Sequence, residues 1–221
     1  MEPKQLENRI ERIMEDISRL AGSICVMKAL DVRQYPENYE ELSTQAALSA
    51  EKIACKLRSL IYATTRIPRY EYLVQAGEAH GINVAENDGV VQITLPCLLP
   101  KKRSRVSSLF LNDPLYATLE KYVVGKPRPC LKEAVVCFCH VYAWEQSLRL
   151  IPDNDNLQQK QVLDLISLFF LADDNGLVCS THAMAERGEH THTRVYVMTK
   201  EKFPEWITEY EKERKNRGKT I

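Results

Sequence analysis

An α+β fold is what this sequence predicts: a mixed sheet with helices, preceded by an α-helical hairpin. Three observations predict it. Leu6, Ile10, Ile13, Ile17, Leu20, Ile24 and Met27 recur at spacings of four and three, a heptad-like seam. Residues 134–141 form a near-continuous apolar run, of the kind a strand buried on both faces needs. Short strand-like and helix-like segments then alternate on either side of that run.

The elements follow in order. The seam makes the first segment a long amphipathic helix. A second helix begins after Pro36, with Leu42, Ala46, Ser49, Ile53, Leu57 and Leu60 on one face, and ends before Pro68. Residues 1–69 are therefore expected as an antiparallel helical hairpin, packed on itself or on the rest of the chain. The alternative use of the seam is to dimerise the protein or dock a partner. Residues 70–88, with Gly77 and Gly81, are expected as a connecting linker. Residues 89–96 read as a strand closed by Pro96, and a basic loop with Lys101, Lys102, Arg103 and Arg105 follows. A helix-like segment at about 113–124 precedes the strand at 134–141. Beyond it come an Asp/Asn cluster, a helix at about 157–168, and strands at 177–183 and 193–199 expected as a hairpin turning at Gly188. A charged helix at 201–221 closes the chain.

Composition bounds the function. The 221 residues suit two modest domains, or one domain with a helical extension, and 44% hydrophobic residues suffice for real cores. No apolar run approaches the roughly 20 residues of a membrane span, and the charged first residues are not a signal peptide. Seven cysteines, scattered through expected helix and strand, suit a reducing cytoplasm. The formal net charge is zero, so general attraction to nucleic acid is absent. Residues 99–132 differ, with eight basic residues, among them Lys121, Lys126, Arg128 and Lys132, against Asp113 and Glu120. Such a run is a solvated loop unless an anionic partner lies beside it. Cys137, Cys139 and His140 share one strand, but zinc wants four well-spaced ligands, and buried free cysteine is the commoner use. His190 and His192 fall at an expected turn.

The chemistry concentrates in Asp153, Asn154, Asp155 and Asn156, followed nineteen residues after Asp155 by Asp174, itself preceded by Asp173. Clustered carboxylate oxygens are what hard divalent cations require. Twelve helical residues from Leu157 rise about 18 Å. If residues 169–174 are extended they travel back about 20 Å, which returns Asp174 to the start of the helix. Asp153, Asp155 and Asp174 are then candidate Mg²⁺ ligands. An Asp/Asn pair before a helix is also an ordinary N-cap and turn. A calcium loop is the other reading, but counting from Asp153 its sixth and twelfth positions hold Gln158 and Asp164 where Gly and Glu are needed.

The order of these pieces resembles a known family. Ile93-Thr94-Leu95-Pro96 with a basic loop, a strand, Asp-x-Asp-Asn-Leu-Gln, a helix, Asp-Asp and a final hairpin is similar to the RusA-like Holliday-junction resolvases, over about residues 89–200. The resemblance implies a Mg²⁺-dependent endonuclease, with Mn²⁺ as a possible substitute, that hydrolyses phosphodiester bonds in branched DNA during recombination and repair as a homodimer. It implies Asp153, Asp155 and Asp174 as catalytic, metal-binding carboxylates, with Asp173 as an auxiliary acid. Beside such a site the basic residues Lys101, Lys102, Arg103 and Arg105 become DNA-backbone contacts, and Arg149 joins them. Two departures stand out. The family's arginine run before the acidic motif is reduced to Arg149. Its functional lysine falls at Gln159, with Lys160 one residue on and about 100° around the helix, so Lys160 is the catalytic candidate. The rival reading is an inactive descendant of the fold, from a mobile element, that binds nucleic acid or a protein.

Overall fold

The computed structural model describes residues 2–99, 109–127, 129–153 and 156–217. The chain divides into two compact units, Met1–Glu71 and Tyr72–Ile221. The fold is α+β, with six helices and a five-stranded mixed sheet among the described residues and a helical hairpin preceding the sheet in sequence.

The first unit contains α1 (Pro3–Ala29) and α2 (Pro36–Thr64), each opened by a proline whose missing N–H costs nothing in the first helical turn. They pack antiparallel. Ile13 of α1 and Ala46 and Ile53 of α2 are buried, and Lys56 pairs with Asp16 across the seam.

The second unit is built on a sheet of order β1-β2-β5-β3-β4, from β1 (Asn83–Asn87), β2 (Val90–Leu95), β3 (Ala134–Ala143), β4 (Cys179–Gly188) and β5 (His192–Thr199). All pairings are antiparallel except β3 with β4. All ten residues of β3 are buried, because it has a neighbour on each edge and a packed layer on each face. On one face Val136 and Phe138 meet α4 (Leu109–Val123) and α5 (Lys160–Phe170) through Leu115, Leu119, Ile166 and Phe170. On the other face Val135, Cys137, Cys139 and Val141 meet α6 (Phe203–Arg217) through Tyr210, Trp206 and Ile207.

Three expectations are corrected. Residues 70–88 are not a linker: they hold most of α3 (Arg69–Ala79), whose Leu73 and Val74 pack on Ala117 of α4, and all of β1. The turn between β1 and β2 places Asp88 and Gly89 at φ 51° and 73°, the left-handed pair that matches the twist of a two-stranded ribbon. The last two strands are not a hairpin with each other. They lie on opposite edges of β3, and the three residues between them cross its end. There the Arg187 guanidinium donates to the Ala143 and Gln146 carbonyls at 2.9 and 2.7 Å, and the Trp144 N–H donates to the Gly188 carbonyl at 3.0 Å. Finally, α5 starts at Lys160 and continues through Phe169 and Phe170, which were expected as extended chain. Their burial explains it: Val162, Ile166, Phe169 and Phe170 form one apolar stripe at helical spacing.

Candidate functional site

The segment between β3 and α5 carries the expected acids. Leu148–Leu150 forms a single 3₁₀ turn that presents Arg149 to solvent, and Asp153 follows, exposed. The Asn156 N–H donates to the Asp153 carbonyl at 3.0 Å, and its side-chain amide lies 3.5 Å from the Asp153 carboxylate. This is local turn chemistry of the kind Asp and Asn favour. Asn154 and Asp155 lie outside the described residues, as do Lys101, Lys102, Arg103, Arg105 and Arg128.

Asp174 does return along α5. The return is made by residues 171–174, after the helix has ended at Phe170, and Leu171 bridges to Leu131 on the way. The Asp174 carboxylate lies 3.5 Å from the ammonium of Lys160, the first residue of α5. Lys160 also donates to Asp164, one turn on, at 3.0 Å. The Asp164 hydrogen bond, then the charges of Asp164 and Asp174, raise the Lys160 pKa above the ordinary lysine value. Lys160 is thus a cation held between two carboxylates.

Asp173 is committed elsewhere. Its carboxylate accepts from the Asn175 side chain at 2.6 Å and from the Asp174 N–H at 2.7 Å, and these bonds, Asn175 first, hold it below the usual carboxylate range. Asn175 in turn accepts from the N–H of Leu177 and of Val178. Asp173 and Asn175 therefore shape the loop that presents Asp174, a role more local than the auxiliary metal ligand expected from sequence.

Gln159 turns inward, and its amide donates to Nε2 of His140 at 3.4 Å. His140 is fully buried in β3, and burial drives its pKa down to about 4, so the ring is neutral. With Nε2 accepting, Nδ1 carries the proton and donates to Thr193 of β5 at 3.3 Å. This β3–α5–β5 link was not foreseen. Two residues on, and on the same face by strand alternation, the buried Tyr142 hydroxyl has no hydrogen-bond partner among the described residues. Cys137 and Cys139 point to the opposite face, where Cys139 contacts the Tyr210 hydroxyl at 3.2 Å, so neither converges with His140.

Among the described residues no three His, Cys, Asp or Glu side chains gather as a metal set. The described donors at 153 and 174 are hard carboxylate oxygens, the chemistry Mg²⁺ takes, and the ammonium paired with Asp174 would have to give way to such an ion. The donor types fit the ion; Asp173, with both oxygens engaged, does not join them. Among the described residues no helix is long and apolar enough to cross a membrane.

No curated protein matches the chain. A protein-family model, described as a family of unknown function (DUF6100), matches residues 2–220, across both units, and the chain belongs to that family.

Proposed function

We propose that the second unit is a Mg²⁺-dependent endonuclease domain acting on branched DNA, similar to the RusA-like resolvases. The observation that carries this reading is the return of Asp174 to the first turn of α5, beside Lys160, which follows Asp153 and Asp155 closely in sequence. Asp153, Asp155 and Asp174 would hold Mg²⁺, which when bound supplies an activated water and stabilises charge on the leaving oxygen of a phosphodiester. The chain's own residues do the rest. Lys160 offers a positive charge at the site for a phosphate oxygen, and Asp164 holds that charge in place. Gln159 ties the start of α5 to the sheet through His140. Arg149, exposed on its turn, and the basic residues Lys101, Lys102, Arg103 and Arg105 would contact the DNA backbone.

A second reading has one observation in its favour. The inward Gln159 cannot contribute a charge where the resembled family uses lysine, which suits a protein that binds branched DNA or a partner without cutting it. The test is incubation of a synthetic four-way junction with and without Mg²⁺ or Mn²⁺, beside Asp155→Asn and Asp174→Asn. Metal-dependent nicking by the natural sequence, lost in both variants, is the expected result. Binding without nicking in any sample selects the second reading, and neither binding nor nicking removes both.

A further inference from the structure

The apolar band of α1 is only half used by the hairpin. Leu6, Ile13, Leu20 and Met27, seven residues apart, are the members wholly or partly buried. Ile10, Ile17 and Ile24, also seven apart, remain 43%, 46% and 52% exposed, and Met14 beside them is 61% exposed. At about 100° per residue the second row lies about 40° around the helix from the first, so one continuous band has one covered and one open edge. The basic residues Arg9, Arg12 and Lys56 collect along a separate groove with Ile13, Ser59 and Leu60. The open isoleucine row is apolar, with the charged Glu11, Glu15 and Arg19 lining a groove beside Met14.

We infer that this edge is an interface with a second copy of the same chain, α1 lying antiparallel on α1 with a two-fold axis at Ile17. The spacing supports this occupant. Ile10 and Ile24 are equidistant from Ile17, so antiparallel pairing sets each against the other in the partner, a self-complementary patch of the kind two-fold symmetry requires. Met14 then faces the small Ala21 across the axis, large against small. Glu7 and Lys28, ten and eleven residues from Ile17 on the same side of the helix, approach each other with opposite charge. Parallel pairing would instead bring Glu7 to Glu7 and Glu11 to Glu11. The isoleucine row spans about 21 Å. A contact of that length falls below the roughly 800 Å² per partner of a standard interface, so the association is expected to be concentration-dependent. None of this depends on the endonuclease reading.

The test uses the full chain in sedimentation velocity over about a hundred-fold concentration range. A reversible monomer–dimer equilibrium is expected, shifted to monomer by Ile17→Glu with helix content by circular dichroism unchanged. The axis is tested by disulfide trapping in a variant whose exposed cysteines, Cys25, Cys55, Cys97 and Cys130, are replaced by serine. There Ile17→Cys should cross-link to itself, Ile10→Cys alone should not, and Ile10→Cys combined with Ile24→Cys should. Cross-linking of Ile10→Cys alone as readily as Ile17→Cys overturns the antiparallel arrangement. A chain that stays monomeric throughout, its open edge covered by another part of the same molecule or by a different protein, overturns the interface altogether.

Discussion

His140 makes the stability of the second unit pH-dependent in a way that can be isolated. The ring is fully buried in the middle of β3, and burial lowers its pKa from 6.5 to about 4. An unfolded chain takes up the proton near pH 6.5, whereas the folded chain refuses it until about pH 4. Between those values protons favour the unfolded state, so the neutral ring's contribution is whole above pH 6.5 and lost as pH falls toward 4. The difference amounts to about 3 kcal/mol, a large share of the roughly 5–15 kcal/mol that holds a domain together. His140→Leu removes the titration and keeps the strand apolar. At pH 8 the variant should be less stable by about 1–3 kcal/mol, because the Gln159 amide and the Thr193 hydroxyl lose their partner. As pH falls the gap should close, and near pH 4 the variant should match or exceed the natural sequence. Urea unfolding followed by tryptophan fluorescence at pH 8, 6, 5 and 4 reads this directly, since Trp144 and Trp206 both belong to the second unit. Carboxylates shared by both proteins cancel in the difference. Parallel loss of stability from pH 7 to pH 4 would refute the reasoning.

Two further substitutions probe packing. A Cβ at Gly77 would sit 2.3 Å from Thr118 Oγ1 and 3.3 Å from the Pro114 carbonyl, so Gly77→Ala should lower stability by about 1–3 kcal/mol in thermal melts, and Thr118→Ala in the same chain should recover part of the loss. On the α6 face the Arg194 guanidinium pairs with Glu186, which also accepts from the Tyr210 hydroxyl at 2.7 Å, with side chains 15% and 7% exposed. Glu186→Ala strands the cation and should cost about 3–5 kcal/mol in denaturant unfolding, a loss that Arg194→Met in the same chain should reduce.

The parts legible in the sequence were those where neighbours in space are also periodic neighbours in the chain. The seven-residue spacings placed α1, Pro36 with a similar spacing placed α2, and the uninterrupted apolar run placed β3. What escaped was non-local or overruled by a weak local cue. Asp88-Gly89 is a strong hairpin signal, yet β1 before it is Asn-Val-Ala-Glu-Asn, exposed apart from the half-buried Val84 and without an alternating pattern to announce a strand. No pattern within β4 or β5 says that β3 separates them, because the partner of each begins more than thirty residues upstream. At the site the reasoning from lengths misplaced both ends of the helix, and it is residues 171–174 alone that bring Asp174 beside Lys160. The capture of Asp173 by Asn175 could have been suspected from the Asx-turn chemistry of Asp-Asp-Asn. The His140–Gln159 bond could not, since it joins a strand and a helix start nineteen residues apart with nothing but a lone histidine in an apolar run to mark it.

The placement of β5 between β2 and β3 also governs when the second unit can come into being on the ribosome. Val91 of β2 pairs with Val197 and Val136 of β3 with the same residue, so two strands made early wait for one made late. Until residue 199 has emerged, the ten residues of β3, with no charged side chain among them, have no antiparallel partner and only an unfinished edge to shelter against. Pairings this distant in sequence are slow to form, and an unpaired apolar strand is what chaperones bind and aggregates recruit. The helices α1 and α2, whose contacts are close in the chain, face no such delay. Synthesis therefore meets its hazard in the interval between β3 and β5, and that interval contains the whole of the candidate acidic site.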